Sequence, residues 1–92
     1  MTVSPVLIVL RGNSGSGKSS VARGLRERFG YGLAWVEQDH LRRVLLREHD
    51  IPHGNNIGLI ELNVRYALEA GYVTVLEGIL YSPHFTEMLS RL

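Results

Sequence analysis

The chain has 92 residues, of which 45% are hydrophobic and 21% are charged, with a formal net charge of +1 and no cysteine. This composition is typical of a globular domain that buries its own core, and it excludes disulfides and thiolate metal sites. A charge so close to zero, without a basic or acidic block, argues against a nucleic-acid or anionic-membrane partner. The apolar run at residues 6–10 is too short for a signal peptide or a membrane span, so we expect a cytoplasmic protein.

The first predicted elements are a strand and a glycine-rich loop. Residues 6–10, VLIVL, have the length and β-branched content of a strand that is buried on both faces. They lead into residues 12–19, GNSGSGKS, which match the pattern G-x-x-x-x-G-K-[ST] at every fixed position. A helix is predicted over 20–29, since Val21, Leu25 and Phe29 recur one turn apart. Strand, loop and helix in this order are the context in which the motif binds phosphate groups.

The residue types of this loop suit a polyanion. Its glycines allow backbone angles and a close approach that a Cβ would forbid, and the following helix N-terminus favours an anion. Lys18 is placed to reach the β- and γ-phosphates, and the Ser19 hydroxyl to ligate Mg²⁺. The alternative is a purely structural turn with a solvated lysine, but four fixed positions rarely coincide by chance. We therefore predict that the loop binds nucleotide phosphates through Gly12, Asn13, Ser14, Gly15, Ser16, Gly17, Lys18, Ser19 and Ser20.

A second strand–helix unit follows. Residues 30–32, GYG, predict the end of the first helix, and residues 33–36 predict a short buried strand. Asp39 is a suitable N-cap for a helix over 40–49. The apolar positions that share one face of this helix are Leu41, Val44 and Leu45, with Leu46 at its side.

A third unit completes the chain. Residues 50–56 predict a loop, residues 57–70 a helix that ends before Gly71, and residues 72–76 a strand. Ser82 is a suitable N-cap for a last helix that begins at Pro83. The residues predicted to face inward from these two helices are Ile60, Val64, Ala67, Leu68, Phe85, Met88, Leu89 and Leu92.

The alternation of strands and helices predicts a three-layer α/β fold with a parallel sheet, of the kind that carries this loop in P-loop NTPases. Three strands leave such a sheet incomplete, and the last apolar stripe runs to the final residue. We expect residues 1–92 to be one domain and the N-terminal part of a longer one. A partner copy that covers the open sheet edge is a second explanation, and a small domain with a frayed last helix is a third.

The chain resembles the P-loop small-molecule kinases, in particular the chloramphenicol-phosphotransferase-like and zeta-toxin-like kinases. The resemblance rests on the phosphate loop, on VEQD at 36–39 and on VLEG at 75–78, where strands end in an acid. It covers essentially all 92 residues and about the first half of such a kinase. The lid arginines and the adenine-binding strands of those kinases have no counterpart in the sequence, and Glu77 stands where relatives often have Asp.

The resemblance implies an enzyme that uses ATP and Mg²⁺ to transfer a γ-phosphoryl group to a hydroxyl of a small molecule. Lys18 and Asp39 would then be catalytic, with Asp39 as the general base and helix capping as its alternative role. Glu77 would position the metal together with Ser19. Its alternatives are a second candidate base and a strand-end carboxylate that faces solvent. Gly78 would let the backbone approach a ligand or would serve only a turn.

Other residues have a functional and a structural interpretation. Arg42 and Arg43 follow Asp39 and could bind an anionic acceptor, although a solvated helix face is the favoured explanation. Tyr66 and Tyr81 could stack on a substrate ring but are more often packing residues. Trp35 is expected in the core. The histidines lack the spacing of a metal site and are expected to be structural or exposed: His40, His49, His53 and His84.

Two other functional classes stay open. A switch-type GTPase or regulatory ATPase would be expected to show Asp-x-x-Gly after the third strand, and residues 77–80, EGIL, do not match it. The second alternative is a truncated nucleotide-binding module without turnover, which the missing lid arginines favour. Competition between ATP and GTP separates the first of these from a kinase.

Overall fold

A computed structural model describes residues 6–13, 17–49, 54–80 and 83–92. Its strands are β1 (Leu7–Arg11), β2 (Leu33–Glu37) and β3 (Val73–Gly78). All pair in parallel in the order β1-β3-β2, so that β3 lies in the centre. The predicted α/β architecture with a parallel sheet is confirmed.

The helices are α1 (Lys18–Phe29), α2 (Gln38–His40), α3 (Asn55–Glu69) and α4 (Pro83–Ser90). Two short turns extend them: a 3-10 turn over Gly30–Gly32 joins α1 to β2, and a π-helical turn over Leu41–Leu45 continues α2. In the described residues, no helix has the length and apolar character needed to span a membrane.

The sheet separates two apolar clusters. Because successive strand residues point to opposite faces, Val75 and Leu76 of the central strand belong to different clusters. On one face, Val75 packs with Ala22 of α1 and with Leu33. On the other face, the buried residues come from α3, α4, β3 and the segment just after β3: Ile60, Val64, Leu76, Leu80, Phe85 and Met88. The three layers are therefore α1, the sheet, and α3 with α4.

Helix α1 contacts the sheet through a different stripe from the one that its apolar residues predict. Val21 and Phe29 are 52% and 46% exposed, whereas Ala22 is fully buried and Leu25 is partly buried. The phosphate loop fixes where the helix begins, which points positions 22 and 25 at the sheet. The small Ala22 side chain lets the helix axis lie close to the strands. The predicted apolar spacing is thus right for Leu25 but wrong for Val21 and Phe29 as a guide to the buried face.

The second helix begins earlier and ends sooner than predicted. Glu37 flanks its start and Asp39 lies in its first turn, so the predicted N-cap role of Asp39 is wrong. It ends after the π-helical turn, where the Glu48 N–H donates to the Arg42 carbonyl at 2.8 Å and Arg47 adopts a φ of 52°. Most of the predicted apolar face is exposed, at Val44, Leu45 and Leu46, whereas Leu41 packs against the core.

The start of α3 is held by Glu48. Its carboxylate accepts the N–H groups of Asn55 and Asn56 at 2.7 and 3.0 Å, and the Asn56 side-chain amide at 2.8 Å. The Asn56 side chain and then its backbone hold the pKa of Glu48 below its usual value. The helix therefore starts at Asn55 rather than at 57, because two of its unpaired N–H groups find an acceptor. Its predicted inward residues are confirmed, with Ile60, Val64 and Ala67 buried and Leu68 partly buried.

Some expectations fall outside the described residues. These concern the middle of the phosphate loop, most of the predicted loop after the second helix, and the approach to α4. The residues are Ser14, Gly15, Ser16, His53, Tyr81 and Ser82.

Candidate functional site

The candidate site lies at the carboxyl edge of the sheet, where parallel α/β sheets bind their ligands. The phosphate loop follows β1 at this edge, and β2 and β3 end there in Glu37 and Glu77-Gly78. A cavity of about 530 Å³ opens between the loop and the start of the second helix. It is lined by Lys18, Ser19, Glu37, Gln38, Asp39, Arg42, Arg43, Glu77, Gly78 and Ile79. The predicted catalytic, metal and acceptor residues therefore share one cavity.

The phosphate loop meets α1 at a glycine in the left-handed region. Gly17 has a φ of 88°, a conformation that L side chains rarely adopt, and its carbonyl accepts the Val21 N–H at 3.1 Å. The Lys18 ammonium donates to the Asn13 carbonyl at 3.3 Å, so the side chain folds back over the loop. Within the described residues, Lys18 makes no ion pair with a carboxylate. Its charge is therefore available to an anion in the cavity.

Both carboxylate oxygens of Glu77 accept a hydrogen bond. The Ser19 hydroxyl donates to Oε1 at 2.6 Å, and the Trp35 indole N–H donates to Oε2 at 2.8 Å. Glu77 is 6% exposed, so the interpretation as a solvent-facing strand end is wrong. The sheet register explains the contact with Trp35. Trp35 pairs with Val75, two residues before Glu77, and side chains two apart on a strand share a face.

The pair formed by Ser19 and Glu77 suits Mg²⁺. Mg²⁺ prefers oxygen ligands and is typically held by one or two protein groups together with water and phosphate oxygens. The Ser19 proton points to Glu77, which leaves the lone pairs of Oγ for a cation. In the part of the chain that the structure describes, no group of three or more His, Cys, Asp or Glu side chains is arranged so that it could hold a metal ion. A metal in this cavity would therefore depend on the hydroxyl–carboxylate pair and on a bound nucleotide.

Asp39 lies on the wall of the cavity between two arginines. Its side chain is 67% exposed, and its Oδ1 lies 3.1 Å from Arg43 Nε and 3.6 Å from Arg42 Nη2. The two arginines differ in burial. The Arg43 side chain is 67% exposed, whereas that of Arg42 is 14% exposed and donates to the Glu48 carbonyl at 3.0 Å. The interpretation as a solvated helix face therefore fits Arg43 but is wrong for Arg42.

Sequence reasoning missed a carboxylate in the cavity. Glu37 stands directly beside Glu77 in the register of β2 and β3 and also lines the cavity. The strand order β1-β3-β2, which makes the two carboxylates neighbours, is the information that would have found it.

Gly78 has a packing role that the sequence did not predict. It is the last residue of β3, and an added Cβ would come within 2.6 Å of Gln38 Cβ. The glycine therefore lets the start of α2 pack closely against the central strand. Gly78 also lines the cavity, and its approach to a ligand stays a prediction.

Other predicted residues lie away from the cavity or have different surroundings. Tyr66 is 75% exposed on α3, in a shallow groove with Leu62 and Glu69. Trp35 is half-buried rather than a full core residue, and its indole N–H makes a polar contact. His40 is exposed at the end of α2.

A family model described as Zeta toxin matches residues 2–92, which include the phosphate loop and the strand ends that carry the acids. No curated protein and no solved structure matches the chain significantly.

Proposed function

The chain belongs to the zeta toxin family, whose members are kinase-like P-loop proteins, and from this premise we propose that it is a phosphotransferase. It would use ATP and Mg²⁺ to move the γ-phosphoryl group to a hydroxyl of a small molecule. The observation that carries the proposal is the 2.6 Å contact between Ser19 and Glu77 at the end of the phosphate loop. Lys18 and Asp39 line the same cavity. Phosphoryl transfer needs these parts: a phosphate cradle, oxygen ligands for a cation, and a carboxylate beside the acceptor.

The phosphate loop would hold the nucleotide. Backbone N–H groups at the start of α1 favour the charge of the phosphates, and Lys18 would exchange its 3.3 Å contact with Asn13 for phosphate oxygens. Ser19 and Glu77 would hold Mg²⁺ against the β- and γ-phosphates. When bound, that ion offsets the negative charge on the transferring group.

Asp39 is the better candidate for the base. Glu77 is buried, and both of its oxygens already accept hydrogen bonds, so it has little capacity to take a proton from an acceptor. Asp39 presents an exposed carboxylate to the cavity, and the two arginines hold it on the wall. Because Arg43 is exposed while Arg42 is tied to Glu48, Arg43 is the arginine better placed to contact an anionic acceptor.

Titration calorimetry with Mg-ATP tests the nucleotide site directly. We expect wild-type binding and at least a tenfold weaker affinity for Lys18→Ala, since hydrogen bonds to charged groups contribute about 1.5–3 kcal/mol. Arg28→Ala is the matched control, because it removes one positive charge from the exposed far end of the same helix. Wild-type protein that does not bind Mg-ATP, or a Lys18→Ala variant that binds equally well, would contradict the proposal.

A transfer assay tests the acceptor class. Sugars, nucleosides, antibiotics and amino-sugar nucleotides are offered with ATP, and phosphorylated product is detected by mass spectrometry. Product on a hydroxyl supports the phosphotransferase. Binding of Mg-ATP without transfer to any acceptor would favour a nucleotide-binding module instead, and a preference for GTP would favour a switch.

A further inference from the structure

Trp35 is the single tryptophan of the chain and lies one strand across the sheet from Glu77. Its indole N–H donates to Glu77 Oε2 at 2.8 Å, while the Ser19 hydroxyl donates to Oε1. The carboxylate is therefore held from two sides, by α1 and by β2.

Helix α1 supports this arrangement at a second point. The Arg26 guanidinium lies 5.2 Å from the centroid of the Trp35 ring, within the range of a cation–π contact. Ser19 and Arg26 are seven residues apart, two helical turns, and so they project from the same side of α1. One stripe of this helix thus contacts both Glu77 and the ring that holds Glu77.

The two donors to Glu77 are neutral. A hydroxyl and an indole N–H satisfy the oxygens of a buried carboxylate, which would otherwise be costly to leave without partners. Unlike an arginine or a lysine, they do not cancel its negative charge. A carboxylate held in this way keeps a fixed direction and remains attractive to a cation.

A glutamate needs such support more than an aspartate does, because its longer side chain has one more rotatable bond to fix. We propose that Trp35 is a positioning residue for Glu77: its indole N–H fixes the carboxylate so that Oε1 and the Ser19 hydroxyl face the metal position together. This inference rests on the proposed function, since it assigns Trp35 a role in metal binding by that site. It predicts that Trp35 controls the affinity for Mg²⁺ more than the affinity for the nucleotide itself.

The hydrogen bond can be observed in the intact chain by NMR. With one tryptophan, ¹⁵N-labelled protein gives one indole N–H signal. We expect this signal to exchange slowly with solvent, to move in Glu77→Gln, and to move again when Mg²⁺ is added to ATP-bound wild-type protein. An indole signal that resembles free tryptophan and ignores Glu77→Gln would overturn the proposal.

The functional test uses Trp35→Phe, which keeps an aromatic ring beside Arg26 but removes the donor. We expect the Mg²⁺ concentration for half-maximal binding of ATP to rise about 10- to 100-fold, as for other groups that orient metal ligands. The affinity for ATP in EDTA should stay within about twofold of wild type. Tyr72→Phe is the control, because it removes a polar group from an aromatic residue just before β3, at the end of the strand away from the cavity.

The outcomes separate this inference from the proposed function. Wild-type protein that fails to bind Mg-ATP contradicts the phosphotransferase and, with it, the role of Trp35. Wild-type binding together with an unchanged Mg²⁺ requirement in Trp35→Phe overturns the role of Trp35 alone. If Trp35→Phe does not fold, the response of the wild-type indole signal to Mg²⁺ decides, and a signal that does not move overturns the proposal.

Discussion

The cavity at the carboxyl edge of the sheet and the outer surface of α3 and α4 use charge in opposite ways. On the helices, Glu61 lies 2.9 Å from Arg65 and 2.8 Å from Arg91, so that its charge is offset by two cations. In the cavity, Glu77 accepts hydrogen bonds only from neutral groups within the described residues, and Lys18 donates to a backbone carbonyl. Charges that offset each other hold two helices together, whereas charges that are not offset remain available to a ligand.

The two regions also differ in packing. The apolar cluster under α3 and α4 is the larger one, and most of the completely buried apolar side chains belong to it, such as Ile60, Leu76 and Met88. The cluster under α1 is smaller, and its far end is occupied by Ser19, Trp35 and Glu77. We therefore expect most of the stability to come from one face of the sheet and most of the chemistry from the other.

The largest expected effect is on turnover, from a change at the cavity. Asp39→Asn removes the candidate base but keeps the shape of the side chain. We expect kcat to fall about 10²- to 10⁴-fold, the usual contribution of a general base, while the affinity for Mg-ATP and the Tm stay close to wild type. Steady-state kinetics on the identified acceptor, calorimetry and thermal unfolding measure the three quantities.

Glu37→Gln is the companion variant, because Glu37 is the other exposed carboxylate of the cavity. If kcat falls strongly in Glu37→Gln while Asp39→Asn keeps wild-type turnover, then Glu37 rather than Asp39 is the general base. A large loss of stability in Asp39→Asn would contradict the separation of chemistry from packing.

The second largest expected effect is on the free energy of unfolding, from a substitution in the apolar cluster under α3 and α4. Met88 is completely buried among apolar residues of α3, α4 and the sheet. Met88→Ala should lower the free energy of unfolding by about 2–5 kcal/mol, since it removes buried methylene groups and leaves a cavity. Urea unfolding measures the loss. The fraction of protein that stays folded should keep wild-type affinity for Mg-ATP.

Leu62→Ala is the control for this variant. Leu62 lies on α3 but is 68% exposed, so the substitution should change the free energy of unfolding by less than about 0.5 kcal/mol. Equal losses in the two variants would mean that the face under α3 and α4 does not form the main core.

The parts of the fold that could be predicted are those in which a local pattern has one physical solution. The alternation of strands and helices, the inward residues of α3 and the glycine at position 17 follow from periodicity and backbone sterics. The end of the second helix could not be predicted. It depends on a hydrogen bond between Glu48 and Arg42 and on the use of the Glu48 carboxylate by α3.

The same limit applies to the candidate site. Sequence alone could identify the phosphate loop, Ser19 and the acids at the strand ends, because each is defined by its neighbours in the sequence. The contact between Trp35 and Glu77 joins residues 42 positions apart and depends on β2 lying beside β3. Likewise, the sequence does not distinguish Arg42 from Arg43. Only packing against the rest of the chain makes Arg42 mostly buried and leaves Arg43 exposed.

The smallest expected effect concerns the two ion pairs of Glu61, one with Arg65 within α3 and one with Arg91 just after α4. Hydrogen bonds from Arg91 and then from Arg65 lower the pKa of Glu61 to about 2 from a usual value of 4.5. A carboxyl group whose pKa is depressed in the folded state stabilises the protein above its unfolded pKa, and this contribution is lost as the pH falls towards the folded pKa. Glu61→Gln should therefore lower the Tm slightly at pH 7. The difference from wild type should shrink between about pH 4.5 and pH 2.

Glu87→Gln is the matched control, because Glu87 is 70% exposed and lies 3.7 Å from the same Arg91. An exposed ion pair at that distance contributes little to stability. This variant should therefore have the same Tm as wild type across the whole pH range. A Tm difference for Glu61→Gln that persists unchanged at pH 2 would show that the residue acts through packing rather than charge. In that case the ion pair between Glu61 and Arg91 would not hold α3 to the end of α4. The contrast between the charged partners of Glu61 and the neutral donors to Glu77 would then not explain how the two regions differ.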